Sequence, residues 1–92
     1  MFALTLALVV HAAHACGVEG TAVYKDGSKV NSTATISSSW NSKVAVPKNG
    51  TYLLDLGSDA CSASVTVYID GNQGQRVTLP SSGNATANFV AR

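Results

Sequence analysis

In run after run of this sequence the large apolar side chains fall on every second position, and no other feature restricts the possible folds as much. Phe2, Leu4, Leu6, Leu8 and Val10 do so at the N-terminus, and Tyr52, Leu54 and Leu56 repeat the pattern. Cys61, Ala63, Val65, Val67 and Ile69 give it most cleanly, with Ser62, Ser64, Thr66 and Tyr68 between them. Successive side chains of a strand point to opposite faces, so each run has one face to bury. An amphipathic helix would need apolar residues three and four apart, and no such stripe is present.

Turn signals cut the chain every eight to twelve residues after Cys16, among them Asp26-Gly27, Asn49-Gly50 and Asp70-Gly71-Asn72. The expected strands are residues 18–25, 29–40, 43–46, 51–57, 61–70, 75–79 and 85–92. Pro47 ends the third of these, since proline cannot donate a ladder hydrogen bond. Trp40, on the same face of the second strand as Ala34, Ile36 and Ser38, is the expected large core anchor. The expected fold is all-β, a seven-stranded sandwich over residues 16–92, preceded by an extended segment over residues 1–15.

Ninety-two residues hold one small core, which a covalent staple or partner subunits would help to stabilise. Cys16 and Cys61 are the two cysteines, and an even count in a small extracellular β domain points to one disulfide. Closing that loop of about 45 residues stabilises the fold by roughly 3–4 kcal/mol in the loop-entropy account. Only 12% of residues are charged and the net charge is +1, which leaves no basic face for nucleic acid. No apolar run reaches the roughly 20 residues of a membrane-spanning helix.

Catalytic and metal chemistry find little support. Both histidines, His11 and His14, lie in the N-terminal segment, away from any Ser or acid at triad spacing. The Asp-Gly pairs lack the further oxygen ligands of a calcium loop and read as turns. The expectation is a non-enzyme with no cofactor and no metal.

Gly20-Thr21-Ala22-Val23-Tyr24, Asp26-Gly27-Ser28-Lys29-Val30, Ala34-Thr35-Ile36, residues 49–57 from Asn49-Gly50-Thr51-Tyr52 to Gly57, and residues 65–71 ending in Asp70-Gly71 form a recurring arrangement. Over about two thirds of the chain it resembles the carboxypeptidase regulatory-like, transthyretin-like β-sandwich family, whose fold is immunoglobulin-like. The resemblance implies a sandwich, and an accessory, adhesive or structural module rather than a catalyst.

Three sites, Asn31-Ser32-Thr33, Asn49-Gly50-Thr51 and Asn84-Ala85-Thr86, satisfy the Asn-x-Ser/Thr rule for N-glycosylation. Six asparagines in a chain this rich in Ser and Thr would give about one such site by composition. All three fall at expected turns or strand ends.

Two fates fit the N-terminal segment. It can be a secretory leader, with Ala13-His14-Ala15 as a cleavage site before Cys16, which leaves a monomeric secreted binding or accessory module. Trp40 and Tyr68 are then the first candidates for a binding surface. Alternatively, its strict period of two and its lack of Lys or Arg suit a donor strand. A seven-stranded sandwich has no interior room for Phe2, Leu4, Leu6, Leu8 and Val10, but a groove on a neighbouring copy does. That arrangement resembles pilus subunits in architecture and generates an open homopolymeric filament, extracellular or on the cell surface. The donor-strand reading, with glycans on Asn31, Asn49 and Asn84 and a Cys16–Cys61 staple, is the expectation.

Overall fold

A computed structural model of the chain describes residues 15–92, and Phe2, Leu4, Leu6, Leu8, Val10, His11 and His14 lie outside the described residues. Among the described residues eight strands form two four-stranded sheets that face each other. In chain order they are β1 (Cys16–Tyr24), β2 (Ile36–Ser38), β3 (Val44–Ala45), β4 (Thr51–Gly57), β5 (Ser64–Ile69), β6 (Asn72–Thr78), β7 (Gly83–Thr86) and β8 (Phe89–Ala91). The first sheet has β1 at its centre, antiparallel to β4 and parallel to both β7 and β8; the second runs β3-β2-β5-β6 and is wholly antiparallel. No described helix is long and apolar enough to cross a membrane.

The period-two pattern sets which residues go inside. Tyr52, Leu54 and Leu56 of β4 are buried while Thr51, Leu53 and Asp55 between them are exposed. Val65, Val67 and Ile69 of β5 meet them from the opposite sheet, with Val18, Ala22, Ile36, Leu79 and Phe89 completing the core. Two tight two-residue turns shape the chain: Asn49-Gly50 closes a single bridge at the entry to β4, and Asp70-Gly71 joins β5 to β6, whose ladder shifts register between Val67 and Ile69. Asn49 and Gly50 have φ of 51° and 79°, and Asp70 and Gly71 have φ of 49° and 74°. Positive φ at both central residues is the primed turn whose twist matches a two-residue hairpin, and Asn-Gly and Asp-Gly adopt it with little strain. Lys48 and Thr51 accordingly exchange both backbone hydrogen bonds, at 2.8 and 3.1 Å.

Several expected strands are cut short, each for a local reason. The expected strand 29–40 keeps only Ile36–Ser38, plus a single bridge from Lys29 to Val23, because Ser32 takes φ of 63° and breaks the extended run. Trp40 is not a core anchor: it is 39% exposed, past the end of β2, where its backbone N–H donates to the Ser38 hydroxyl at 3.1 Å. Phe89 and Tyr52 fill the aromatic part of the core instead, their ring centres 6.1 Å apart. The expected strand 61–70 begins at Ser64, since a short 3-10 turn over Ser58–Ala60 and a positive φ of 66° at Ser62 carry the chain from the first sheet to the second.

The last expected strand, 85–92, is two strands, which makes eight in place of seven. Both lie on the edge of β1 away from β4, and the break falls at Ala87 and Asn88. There the Asn88 side-chain oxygen accepts the Thr21 N–H at 2.9 Å, and the Ala87 N–H donates to the Glu19 carbonyl at 3.0 Å. A side chain thus replaces one rung of the backbone ladder.

Tyr52 locks this junction from below. It is paired with Gly20 across the β1–β4 ladder, and its hydroxyl donates to the Ala87 carbonyl at 2.6 Å on the far side of β1. A side chain at Gly20 would have its Cβ 1.9 Å from that same carbonyl oxygen, so glycine is the residue that lets the three meet. Burial pushes the Tyr52 phenol well above its ordinary value. The folded protein therefore holds this proton where the unfolded chain releases it. Stability is expected to be level in this respect up to about pH 10 and to fall above it. Unfolding midpoints from pH 7 to 11 check this, and in Tyr52→Phe the Tyr52 share of the alkaline fall is lost.

Candidate functional site

Cys16 opens β1, at the point where residues 1–15 join the sandwich. It is bonded to Cys61, just after the 3-10 turn, with the Cα atoms 5.2 Å apart. That separation suits a disulfide, and the bond ties the central strand of one sheet to the segment leading into the other. The boundary between the N-terminal segment and the sandwich is therefore a covalently fixed point.

The asparagines of the three glycosylation motifs are exposed. Asn31 and Asn49 form one patch although 18 residues separate them: the Asn49 N–H donates to the Asn31 side-chain oxygen at 3.3 Å. Ser32 and Gly50 N–H groups donate to Pro47 and Val30 carbonyls, at 2.8 and 2.9 Å, and hold the two loops together. Asn84 stands elsewhere, on β7 directly beside Gly17 of β1.

Strand register lays out the outer face of the first sheet in rows. Asp55, Gly17 and Asn84 form one row, Leu53, Glu19 and Thr86 the next, and Thr51 and Thr21 a third. Over the last two rows runs an open groove of about 640 Å³, within the size range of small-molecule sites. Val46 and Lys48, from the link between β3 and β4, wall one side and Asn88 the other. Leu53 is 57% exposed and Val46 44%, so an apolar floor carries hydroxyl, carboxylate and amide groups around it. No local sequence pattern marks Glu19 or Thr21 for this surface. A leucine on the polar face of an otherwise alternating strand was the available signal.

The remaining polar features are structural. The Asp26 carboxylate accepts the Ser28 N–H at 2.9 Å and its hydroxyl at 2.6 Å, and these bonds hold its carboxyl below the usual carboxylate range. Both oxygen-donor groups of that turn are thus engaged with each other. Asp70 accepts the Thr35 N–H at 2.9 Å and fixes the hairpin end of β5 to the lead-in of β2. Beside it a polar cavity of about 170 Å³ lies between Tyr24, Thr33, Asp70 and Arg92. Tyr68 is half-buried on the outer face of the second sheet, its ring lying over Gly74 of the neighbouring strand. Among the described residues no three His, Cys, Asp or Glu side chains gather as metal ligands would.

Among the described residues the two sheets present four edges. β3, only two residues long, borders the second sheet on one side, and seven-residue β6 borders it on the other. β4, also seven residues, borders the first sheet on one side, and β7 and β8 border it on the other. Inward positions of β6 are Gln73, Gln75 and Val77, all half-buried, whereas those of β4 are fully committed to the core. Comparison with family models, with curated proteins and with solved structures found no match to this chain.

Proposed function

We propose that this protein is a secreted, N-glycosylated structural subunit of an extracellular or cell-surface filament, built on an immunoglobulin-like, transthyretin-like sandwich and without catalytic activity. In this reading Phe2–Val10 of each copy adds as a strand to a sheet edge of the next. Main-chain hydrogen bonds supply affinity and the alternate side chains Phe2, Leu4, Leu6, Leu8 and Val10 supply specificity. Donor and acceptor surfaces differ, so the contact propagates as an open homopolymer.

One observation carries the reading: the described residues close a core of their own, and β6 leaves a seven-residue sheet edge with half-buried inward positions at which a neighbour's strand could add. Five further large apolar side chains have a use against a neighbour, where burying them is worth about 1.5–3 kcal/mol each. The self-contained core also favours a second reading, a monomeric secreted binding or accessory module in which residues 1–15 are a removed leader.

Deletion of Phe2–Val10 separates the two. Filaments seen by electron microscopy for the intact chain are expected to give way to folded monomers. Filaments that persist after the deletion, or their absence from the intact chain, would refute strand addition by this segment.

A further inference from the structure

We propose that the groove on the outer face of the first sheet is occupied by the protein's own N-glycan, attached at Asn84. This rests on the glycosylated reading above and assigns that glycan a binding site.

The argument starts from register. Asn84 and Thr86 alternate with the half-buried Ala85, so both point to the outer side of the sheet. Asn84 lies beside Gly17, and Thr86 beside Glu19, which in turn is paired with Leu53. The attachment point and the groove are thus on one face, one row apart. A step of two residues along a strand is about 7 Å, and two strand spacings are about 10 Å. A sugar chain leaving Asn84 crosses that distance with its first residues, and between them stands Gly17, which presents no side chain.

The lining suits a carbohydrate. Leu53 and Val46 offer apolar surface to the C–H face of a pyranose ring or to an N-acetyl methyl group. Thr21, Thr51 and Thr86 offer hydroxyls, Glu19 a carboxylate that accepts from sugar hydroxyls, and Asn88 an amide. A small apolar floor with a few convergent polar groups is the usual composition of such a site. Covering Leu53 and Val46 also removes exposed apolar area from the face of the sheet, where it would invite non-specific association.

The full chain, produced in a host that glycosylates, supplies the test. Peptide mapping reads occupancy at Asn84, and the fluorescence of an apolar dye reads exposure of the groove. Asn84→Gln is expected to raise dye binding several-fold, and adding Leu53→Ser to it should return binding to the parent level. Unchanged dye binding in Asn84→Gln, with glycan mapped on Asn84 of the parent, would overturn the proposal and leave the glycosylated reading standing. A rise confined to Asn49→Gln would also overturn it. No glycan at Asn84 would overturn both the proposal and that part of the functional reading.

Discussion

Replacing Cys16 and Cys61 together by alanine is expected to lower the free energy of unfolding by about 3–4 kcal/mol. The cross-link closes 45 residues of chain, from the start of the central strand β1 to the approach to β5, so without it the unfolded chain regains much freedom. The loss is a large fraction of the 5–15 kcal/mol that native domains possess. At about 4–8 °C per kcal/mol for a domain of this size, the thermal midpoint should drop by roughly 15–30 °C. Cys16 is fully buried, so part of any loss is packing, and reduction of the natural protein without substitution gives the cross-link share alone. A fall of under about 1 kcal/mol on reduction would contradict a stabilising role for the staple.

Gly20→Ala is expected to be among the most damaging conservative substitutions of the described residues. Its Cβ would stand 1.9 Å from the Ala87 oxygen and 2.8 Å from the Ala87 carbonyl carbon, and both are backbone atoms with no rotamer to change. Relief requires the β7–β8 junction to move away from β1. That movement breaks the 2.6 Å bond from the Tyr52 hydroxyl, the Asn88 bond to the Thr21 N–H and the Ala87 bond to Glu19 together. Of these the Tyr52 bond is buried, and a buried polar group left unpaired costs about 1–3 kcal/mol; with the other two bonds and the backbone displacement added, a total above about 3 kcal/mol is expected in denaturant titration. Tyr52→Phe removes only one of these bonds and should cost about 1–2 kcal/mol. If Gly20→Ala proves no worse than Tyr52→Phe, the close approach of Ala87 to β1 is not what holds the C-terminal strands.

These three residues also mark the limit of what the sequence made legible. Period-two alternation placed Tyr52, Leu54, Leu56, Val65, Val67 and Ile69 inside, and Asn-Gly and Asp-Gly located the tight hairpins, because both signals are local. The pairing of Cys16 with Cys61 followed from having two cysteines. What escaped was non-local. That Asn88 would supply a rung to Thr21, and so split one expected strand into two parallel to β1, depends on residues 67 positions apart. Alternation from Ala34 would carry Trp40 into the core, but the strand stops at Ser38 and the pattern has no meaning beyond it. The glycosylation motifs were visible one by one. Their arrangement was not: Asn31 touching Asn49, and Asn84 sharing a face with Glu19 and Leu53, are consequences of sheet register.

The intact mass of the mature protein, before and after glycosidase treatment, tests the filament account most directly. The account predicts a mass that includes Phe2–Val10 and falls on deglycosylation by whole glycan units. A chain that starts at Cys16 has no donor strand, and that result would contradict the account.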